Sequence, residues 1–150
     1  MFRENTIDLT DNGHALRTFT KVSRRPGTFS GDTFKIEGVD TNHSMGDPIE
    51  LIVHFNSIFK DNFLPPEGVY TTGTYVDGFP ASDKSLYNIV YIDYMTYTPD
   101  FFYYTAAPNQ KVYVKWINGK INIMTCSIIM NGKRNGSIYP TPMLLSITES

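Results

Sequence analysis

The sequence predicts an all-β protein, a two-layer antiparallel β-sandwich that is jelly-roll-like or Ig-like, with eight to ten short strands and little or no helix. Apolar and polar residues alternate with a period of two in several short segments. Gly, Pro and Asn turn signals recur about every 8 to 14 residues. No segment carries a capped helical stripe, and only residues 57–63, SIFKDNF, could form one helical turn.

Size and composition predict a single domain over residues 1–150. The chain has 41% hydrophobic and 19% charged residues, which is too apolar for a disordered chain. A chain of this length can bury a substantial core without disulfides, and Cys126 is its only cysteine. No apolar run is long enough to cross a membrane as a helix, so we expect no membrane insertion.

The clearest local signal is a β-hairpin around Asn118-Gly119. Asn-Gly is the preferred pair for a two-residue type I′ turn, because both central residues need a positive φ. This turn would place Val114, Trp116, Ile121 and Ile123 on a buried face and Lys115, Lys120 and Asn122 on the opposite face. The predicted register pairs Ile117 with Lys120, Trp116 with Ile121, Lys115 with Asn122, Val114 with Ile123, and Val112 with Thr125.

The next reversal has two readings, because Asn-Gly occurs again at residues 131–132 and at residues 135–136. A two-residue turn at Asn131-Gly132 would oppose Ile129 to Arg134. A six-residue loop over NGKRNG would instead oppose Ile129 to Ile138 and keep both on the buried face. The sequence favours the loop, which would carry Lys133 and Arg134 outward on an exposed tip.

Other segments complete the predicted strands. Residues 49–56 alternate most clearly, with Leu51, Val53 and Phe55 on one face and Glu50, Ile52 and His54 on the other. A turn at residues 65–68 precedes a Thr- and Tyr-rich strand. Further strands are predicted in residues 32–39, 85–97, 101–106 and 143–148, and an N-terminal hairpin is predicted around Asp11-Asn12-Gly13.

An aromatic stretch at residues 87–104 supplies the candidate binding residues. Tyr87, Tyr91, Asp93 and Tyr97 share one face of a strand, while Val90, Ile92 and Tyr94 share the other. Both faces are largely apolar, so this strand is buried on both sides or presents a Tyr-rich face to a partner. We therefore predict partner or glycan contacts at Tyr87, Tyr91, Asp93, Tyr97, Lys133 and Arg134.

The sequence offers no catalytic constellation, so we predict a protein that is not an enzyme and has no cofactor and no metal. Three isolated histidines and Cys126 make no local zinc motif. Cys126 is expected to pack in the core and His54 to lie on a polar strand face. Nucleic-acid binding is not expected, because 15 acidic residues outnumber 13 basic ones.

Charge is divided unevenly along the chain. Residues 51–100 hold two Lys/Arg against six Asp/Glu, a net charge of −4, whereas residues 101–150 hold five against one, a net charge of +4. Opposite charges of this kind are neutralised between adjacent strands of one molecule or between molecules in head-to-tail contact. Neutralisation inside one molecule is the favoured interpretation.

These observations favour a non-catalytic structural subunit of a larger assembly. The leading hypothesis is a virion component, such as a phage capsid-decoration, connector or tail protein, that contacts copies of itself or other subunits. Residues 1–13 lack the pattern of a secretory signal, which predicts synthesis in the cytoplasm and incorporation into a particle. The alternative is an extracellular or surface-anchored module, its signal removed, that binds glycan or host protein through the Tyr-rich face.

Overall fold

The computed structural model describes residues 5–9, 17–25, 34–40, 50–55, 64–73, 88–96, 102–134 and 137–150. Within these ranges the protein is all-β and has no helix. Its strands are β1 (Thr6–Leu9), β2 (Arg17–Thr18), β3 (Lys21–Arg25), β4 (Lys35–Val39), β5 (Glu50–Phe55), β6 (Gly68–Thr72), β7 (Ile89–Thr96), β8 (Phe102–Ala106), β9 (Lys111–Ile117), β10 (Lys120–Met124), β11 (Ile128–Arg134) and β12 (Ser137–Thr148).

The strands form one mixed sheet, so the prediction of a purely antiparallel arrangement is wrong. β6 pairs in parallel with β7 through Thr71 opposite Ile89, while the other pairings among described strands are antiparallel. A parallel pair needs a long crossover, and residues 73–88 supply the necessary length. The pairings also close a circuit, β12–β10–β9–β6–β7–β8–β11–β12. From this circuit β5, β4 and β3 branch at β7, and β1 and β2 branch at β12.

Residues 102–134 form one long hairpin. Its strand pairing is interrupted once in each arm, first between β8 and β9 and then between β10 and β11. β9 pairs with β10 beside the turn, and β8 pairs with β11 beyond the interruption. Tyr113 lies opposite Met124, whereas Ala106 lies opposite Met130, so the first arm holds one residue more between these pairs than the second. An extra residue of this kind bends a strand. β12 runs along both parts of the second arm, pairing first with β11 and then with β10.

A buried threonine lies at each interruption. The Thr72 hydroxyl donates to the Ala107 carbonyl at 2.6 Å and accepts from the Gln110 amide at 3.0 Å. The Thr125 hydroxyl accepts from the Leu145 amide at 3.0 Å, and the Thr125 amide donates to the Leu145 carbonyl at 2.9 Å. These bonds satisfy backbone groups that would otherwise lose their partners where the regular ladder stops.

The second interruption also corrects the prediction for Cys126. This residue lies between β10 and β11 and is exposed, so it does not pack in the core. The sequence places it two residues from Met124 and from Ile128, which suggested a continuous strand. The alternation instead breaks at Thr125, whose backbone follows β12 while Cys126 and Ser127 face solvent.

The hairpin at Asn118-Gly119 is confirmed with its predicted register. Asn118 has φ 51° and Gly119 has φ 77°, and the first four predicted residue pairs are present. The fifth, Val112 with Thr125, is wrong, because the ladder ends at Tyr113 opposite Met124 and Thr125 bonds Leu145 instead. Val114, Ile121 and Ile123 are buried as expected, whereas Lys115 and Lys120 are exposed. Trp116 is only partly buried: it packs against the core while its indole N–H donates to the Pro65 carbonyl at 2.7 Å.

Both readings of Asn131-Gly132 are wrong. The two residues lie inside β11, and Arg134 pairs with Ser137, so β11 and β12 continue up to Asn135-Gly136, which lies outside the described residues. Ile129 lies opposite Pro142 rather than Arg134 or Ile138. The physical reason is packing: a Cβ at Gly132 would lie 2.7 Å from Cε1 of Tyr104, so the glycine admits a tyrosine ring against the strand.

Several of the remaining strand predictions are confirmed within the described residues, but those residues contain twelve strands instead of the predicted eight to ten. β5 alternates between half-buried and fully buried side chains along its whole length, as expected. β1 and β2 pair antiparallel, which confirms the pairing of the N-terminal hairpin although its turn is not described. The sequence missed β3, and it placed the start of the last strand at residue 143 instead of Ser137. Residues 57–63 lie outside the described residues.

The interior is one apolar cluster that includes residues from eleven of the twelve strands. β7 divides as predicted, because Val90, Ile92 and Tyr94 belong to this cluster while Tyr91 and Asp93 lie on the other face. The largest fully buried side chains are Tyr70, Tyr94, Phe55, Ile7, Ile36, Leu51, Ile92, Ile121, Ile123, Met130, Met143 and Leu145.

Arg24 connects β3 to the β9–β10 part of the long hairpin. Its guanidinium makes two contacts to Glu149, of 2.6 and 3.1 Å, and donates to the Gly119 carbonyl at 3.3 Å. It also lies 5.3 Å from the Trp116 ring centroid and 5.6 Å from that of Phe34. Beside it, the Ser150 amide donates to the Val22 carbonyl at 2.8 Å. The branch that ends at β3 therefore meets the end of β12.

Candidate functional site

The structure places three of the six predicted contact residues on one outer face of the sheet. Tyr91 and Asp93 lie on β7, and Lys133 lies on β11, which β8 separates from β7. Asp93 is opposite Thr105, which is opposite Asn131, while Lys133 occupies the next row beside Tyr103. Of the other predicted residues, Tyr87 and Tyr97 lie outside the described residues, and only the backbone of Arg134 is described.

Tyr91 is covered although it does not face the core. It exposes 4% of its surface and is absent from the apolar cluster. Its ring lies 5.7 Å from the His54 ring on the neighbouring strand, and a Cβ at Gly73 would contact its Cε1 at 3.7 Å. The sequence left open whether the Tyr-rich face is buried or exposed to a partner, and Tyr91 is buried.

Asp93 and Tyr103 form a hydrogen-bonded pair on this face. Burial raises the pKa of the Asp93 carboxyl above its usual value, and the hydrogen bond from Tyr103 opposes that shift. The pKa of Tyr103 is raised to about 12, first by burial and then by the charge and hydrogen bond of Asp93. Tyr103 therefore remains a donor at neutral pH, and the pair acts as a fixed polar contact between β7 and β8.

His54 is uncharged at neutral pH. Burial, followed by the charge of Lys35, lowers its pKa to about 4. In the described ranges no group of three or more His, Cys, Asp or Glu side chains is arranged to hold a metal ion. This face therefore combines polar and aromatic side chains that are half-buried.

The sequence reasoning missed the surface on the other part of the long hairpin. Along β9 the outward residues alternate between basic and apolar, as Lys111, Tyr113, Lys115 and Ile117. We call these four residues, together with Lys120 across the turn, the basic face. Ile117 is 52% exposed, and Val69 lies directly opposite Tyr113 with half of its surface exposed. The alternation in residues 111–117 is the sequence signal for this surface, but in the sequence it predicts only which residues are buried.

A second exposed apolar group lies on β11 and β12. Ile129, Ile138 and Tyr139 are exposed, and Ile138 is the most exposed large apolar residue described, at 60%. Pro140 and Pro142 follow on the same strand and are also exposed. Because Pro140 faces Asn131 and Pro142 faces Ile129 inside a regular ladder, the proline nitrogens point to the other edge of β12 and remove two donors there. This edge is therefore poorly suited to pairing with another strand.

Comparison with protein-family models, with curated proteins and with solved structures finds no match to this chain. In the part of the chain that is described, no helix has the length and apolar character needed to cross a lipid bilayer.

Proposed function

We propose that this chain is a non-catalytic structural subunit of a larger assembly and acts through protein–protein contacts. The supporting observation is that, within the described ranges, the exposed large apolar residues fall into two groups on different strand pairs. One group is Val69, Tyr113 and Ile117, and the other is Ile129, Ile138 and Tyr139. Exposed large apolar residues among polar neighbours are typical of protein interfaces.

Two groups suit a subunit that contacts two neighbours at once. The first group lies beside lysines of β9, and the second lies beside two prolines that disfavour strand addition. Contacts would then be made through side chains on sheet faces rather than by extending the sheet. The specific form that we propose is a virion component of a phage, a capsid-decoration, connector or tail protein made in the cytoplasm.

We also infer that the sheet folds over as a two-layer sandwich, jelly-roll-like or Ig-like. Strands from both arms of the long hairpin bury side chains in one common cluster. Aromatic contacts join strands that are not neighbours in the sheet. Ring centroids are 5.1 Å apart for Phe55 on β5 and Tyr70 on β6, the two strands that flank β7, and 6.3 Å apart for Phe34, just before β4, and Trp116 on β9. An experimental structure in which these strands lie in one open, flat layer would contradict this inference.

The assembly proposal is tested by the composition of particles from the natural source. Quantitative mass spectrometry should find the chain in purified particles at a fixed ratio to the other subunits. Ile138→Lys should reduce incorporation, because a charge replaces an exposed apolar contact, while Ser137→Lys, an exposed neighbour, is the matched control. A folded chain that remains a free monomer and is absent from every purified particle would defeat the proposal.

The alternative proposal, binding of glycan or host protein by an extracellular module, depends on the Tyr-rich face. Its support is the set of polar groups on that face, Asp93, Tyr103 and Lys133, since glycan sites combine hydrogen-bonding groups with aromatic rings. Stacking on Tyr91 is disfavoured, because so little of its ring is exposed. A glycan array with the wild type and Tyr91→Ala tests this alternative, and absence of binding by the wild type would end its glycan form.

A further inference from the structure

The turn between β9 and β10 is the most open place at which the described part of the chain carries Asn-Gly. Asn118 and Gly119 are both exposed, and both have a positive φ. The ladder ends at the pair of Ile117 and Lys120, so the two turn residues lie outside it. A Cβ at Gly119 would meet nothing within 4 Å. The turn can therefore change its backbone conformation without displacing packed side chains.

An asparagine that precedes a glycine can lose its side-chain amide without an enzyme. The backbone nitrogen of the glycine gives its proton to solvent and attacks the side-chain carbonyl carbon of the asparagine. The new C–N bond closes a five-membered imide, and the side-chain nitrogen leaves as ammonia. Water then adds to one of the two ring carbonyls, and the ring opens to aspartate or to isoaspartate. Glycine favours the attack because no side chain stands beside its nitrogen and its backbone rotates freely.

The second described Asn-Gly dipeptide, Asn131-Gly132, is held on every side. Gly132 pairs with Tyr104 on β8 and with Tyr139 on β12, so its backbone lies inside a ladder with a strand on each flank. The Tyr104 ring also lies against it, because a Cβ at Gly132 would be 2.7 Å from Cε1 of that ring. Ring closure requires the backbone of the asparagine to rotate, and in β11 this rotation would break pairing that buries the strand. The same dipeptide is therefore protected here.

We propose that Asn118 is a site of spontaneous deamidation in the folded protein, and that isoaspartate at this position weakens the attachment of β3 to the turn. Arg24 on β3 donates to the Gly119 carbonyl at 3.3 Å. Isoaspartate adds one atom to the backbone of a two-residue turn, which then cannot keep the conformation that its two positive φ values define. The Gly119 carbonyl would move away from the guanidinium. This ageing reaction does not depend on the proposed function.

Peptide mapping after ageing tests the choice between the two asparagines. Trypsin cleaves after lysine and arginine, so the two described dipeptides are recovered in separate peptides, residues 116–120 and 121–133. Ageing at mildly alkaline pH in oxygen-18 water places one heavy oxygen on each new carboxylate. The label separates reaction during ageing from reaction during digestion. The same ageing in urea is the matched control, because both dipeptides are then equally free to rotate.

In the folded protein, Asn118 should react at least about tenfold faster than Asn131, since a local opening that costs about 1.4 kcal/mol slows a reaction that depends on it tenfold. In urea the two rates should be similar. Similar rates in the folded protein, or a faster reaction at Asn131, would overturn the proposed site. The same preference in urea would also overturn it, because neighbouring residues rather than the fold would then decide the rates.

Thermal unfolding and amide hydrogen exchange test the effect on β3. Asn118→Gly is the matched variant, because Gly-Gly accepts the same turn, lacks the reacting amide and undergoes every other change of ageing. The aged wild type should unfold about 2–4 °C below aged Asn118→Gly and lose exchange protection in β3. Asn118→Asp adds the charge without the extra backbone atom and should stay close to the unaged wild type. Equal unfolding temperatures and equal protection in the two aged proteins would overturn the weakened attachment.

Discussion

The two parts of the long hairpin are built from similar strands but are held together differently. In the β8–β11 part, Gly132 lies under the Tyr104 ring, which stacks on Phe102 at a centroid distance of 5.8 Å. In the β9–β10 part, Asn118-Gly119 makes an exposed turn, and a Cβ at Gly119 would meet nothing within 4 Å. The same dipeptide therefore supports packing in one part and backbone geometry in the other.

The largest expected effect is at the packed glycine. Gly132→Ala places a methyl group against a buried ring that other aromatic residues hold in position, so we expect a loss of about 2–3 kcal/mol in the free energy of unfolding. Urea unfolding measures the loss. In a double-mutant cycle with Tyr104→Leu, the combined loss should be smaller than the sum of the two single losses. An additive cycle would show that the Tyr104 ring is not the cause.

The join between the two parts is tested at Thr125. Thr125→Val keeps the shape of the side chain but leaves the buried Leu145 amide without its acceptor, and we expect a loss of about 2 kcal/mol. Thr125→Ser retains the hydroxyl and should lose much less. Equal losses in the two variants would assign the effect to packing. Thr72→Val at the other interruption should cost at least as much, because the Thr72 hydroxyl bonds two backbone groups, the Ala107 carbonyl and the Gln110 amide.

Acid should destabilise β5 and its neighbour β7, which borders the β8–β11 part, through His54. Because the pKa is 6.5 in the unfolded chain and about 4 in the folded protein, the unfolded state binds more protons between these values. Stability is therefore complete above pH 6.5 and falls as the pH decreases toward 4. For this half-buried group we expect about 1–2 kcal/mol, less than the full pKa difference implies.

His54→Gln provides the comparison for the acid effect. The pH dependence of the wild type minus that of His54→Gln isolates the histidine from Asp93, whose raised pKa acts with the opposite sign. Amide hydrogen exchange should then show protection lost in β5 and β7 before β9 and β10. Identical pH profiles for the two proteins would contradict the shifted pKa.

A smaller effect is expected at the exposed turn. Gly119→Ala forces an alanine into φ 77° with open space around it, so the cost is conformational and amounts to about 1 kcal/mol. Thermal unfolding of Gly119→Ala beside Gly132→Ala compares the two parts with the same chemical change. Equal losses in stability for Gly119→Ala and Gly132→Ala would contradict the assignment of backbone conformation to the first glycine and packing to the second.

The smallest effect is expected at Arg24, which ties β3 to the β9–β10 part. Arg24→Lys keeps the charge but loses the paired contacts to Glu149 and the stacking on Trp116. Because the Arg24 side chain is 41% exposed, we expect a loss of about 0.5 kcal/mol. Lys21→Arg on the same strand is the control. A loss as large as that of Thr125→Val would show that Arg24 contributes far more than an exposed ion pair.

The sequence by itself determined the extended segments, the inward faces and one turn. Period-two alternation identifies β5 and both strands of the hairpin at Asn118-Gly119, because a residue's face in an extended strand depends only on its parity. The positive φ required by that turn is likewise a local property of Asn and Gly. The candidate face of β7 follows from the same rule, which correctly separated Tyr91 and Asp93 from Ile92.

Tertiary structure alone decided which strands are neighbours and what each ambiguous motif does. Asn131-Gly132 has the sequence of a turn, but Tyr104 from another strand lies against the glycine. Cys126 has the sequence position of a core residue, but Leu145 bonds both the amide and the hydroxyl of Thr125 and the strand alternation ends there. The parallel pair of β6 and β7 and the cover over Tyr91 both depend on contacts between residues far apart in the chain. Local patterns specify conformation and orientation, but they contain no information about which distant segment arrives to satisfy them.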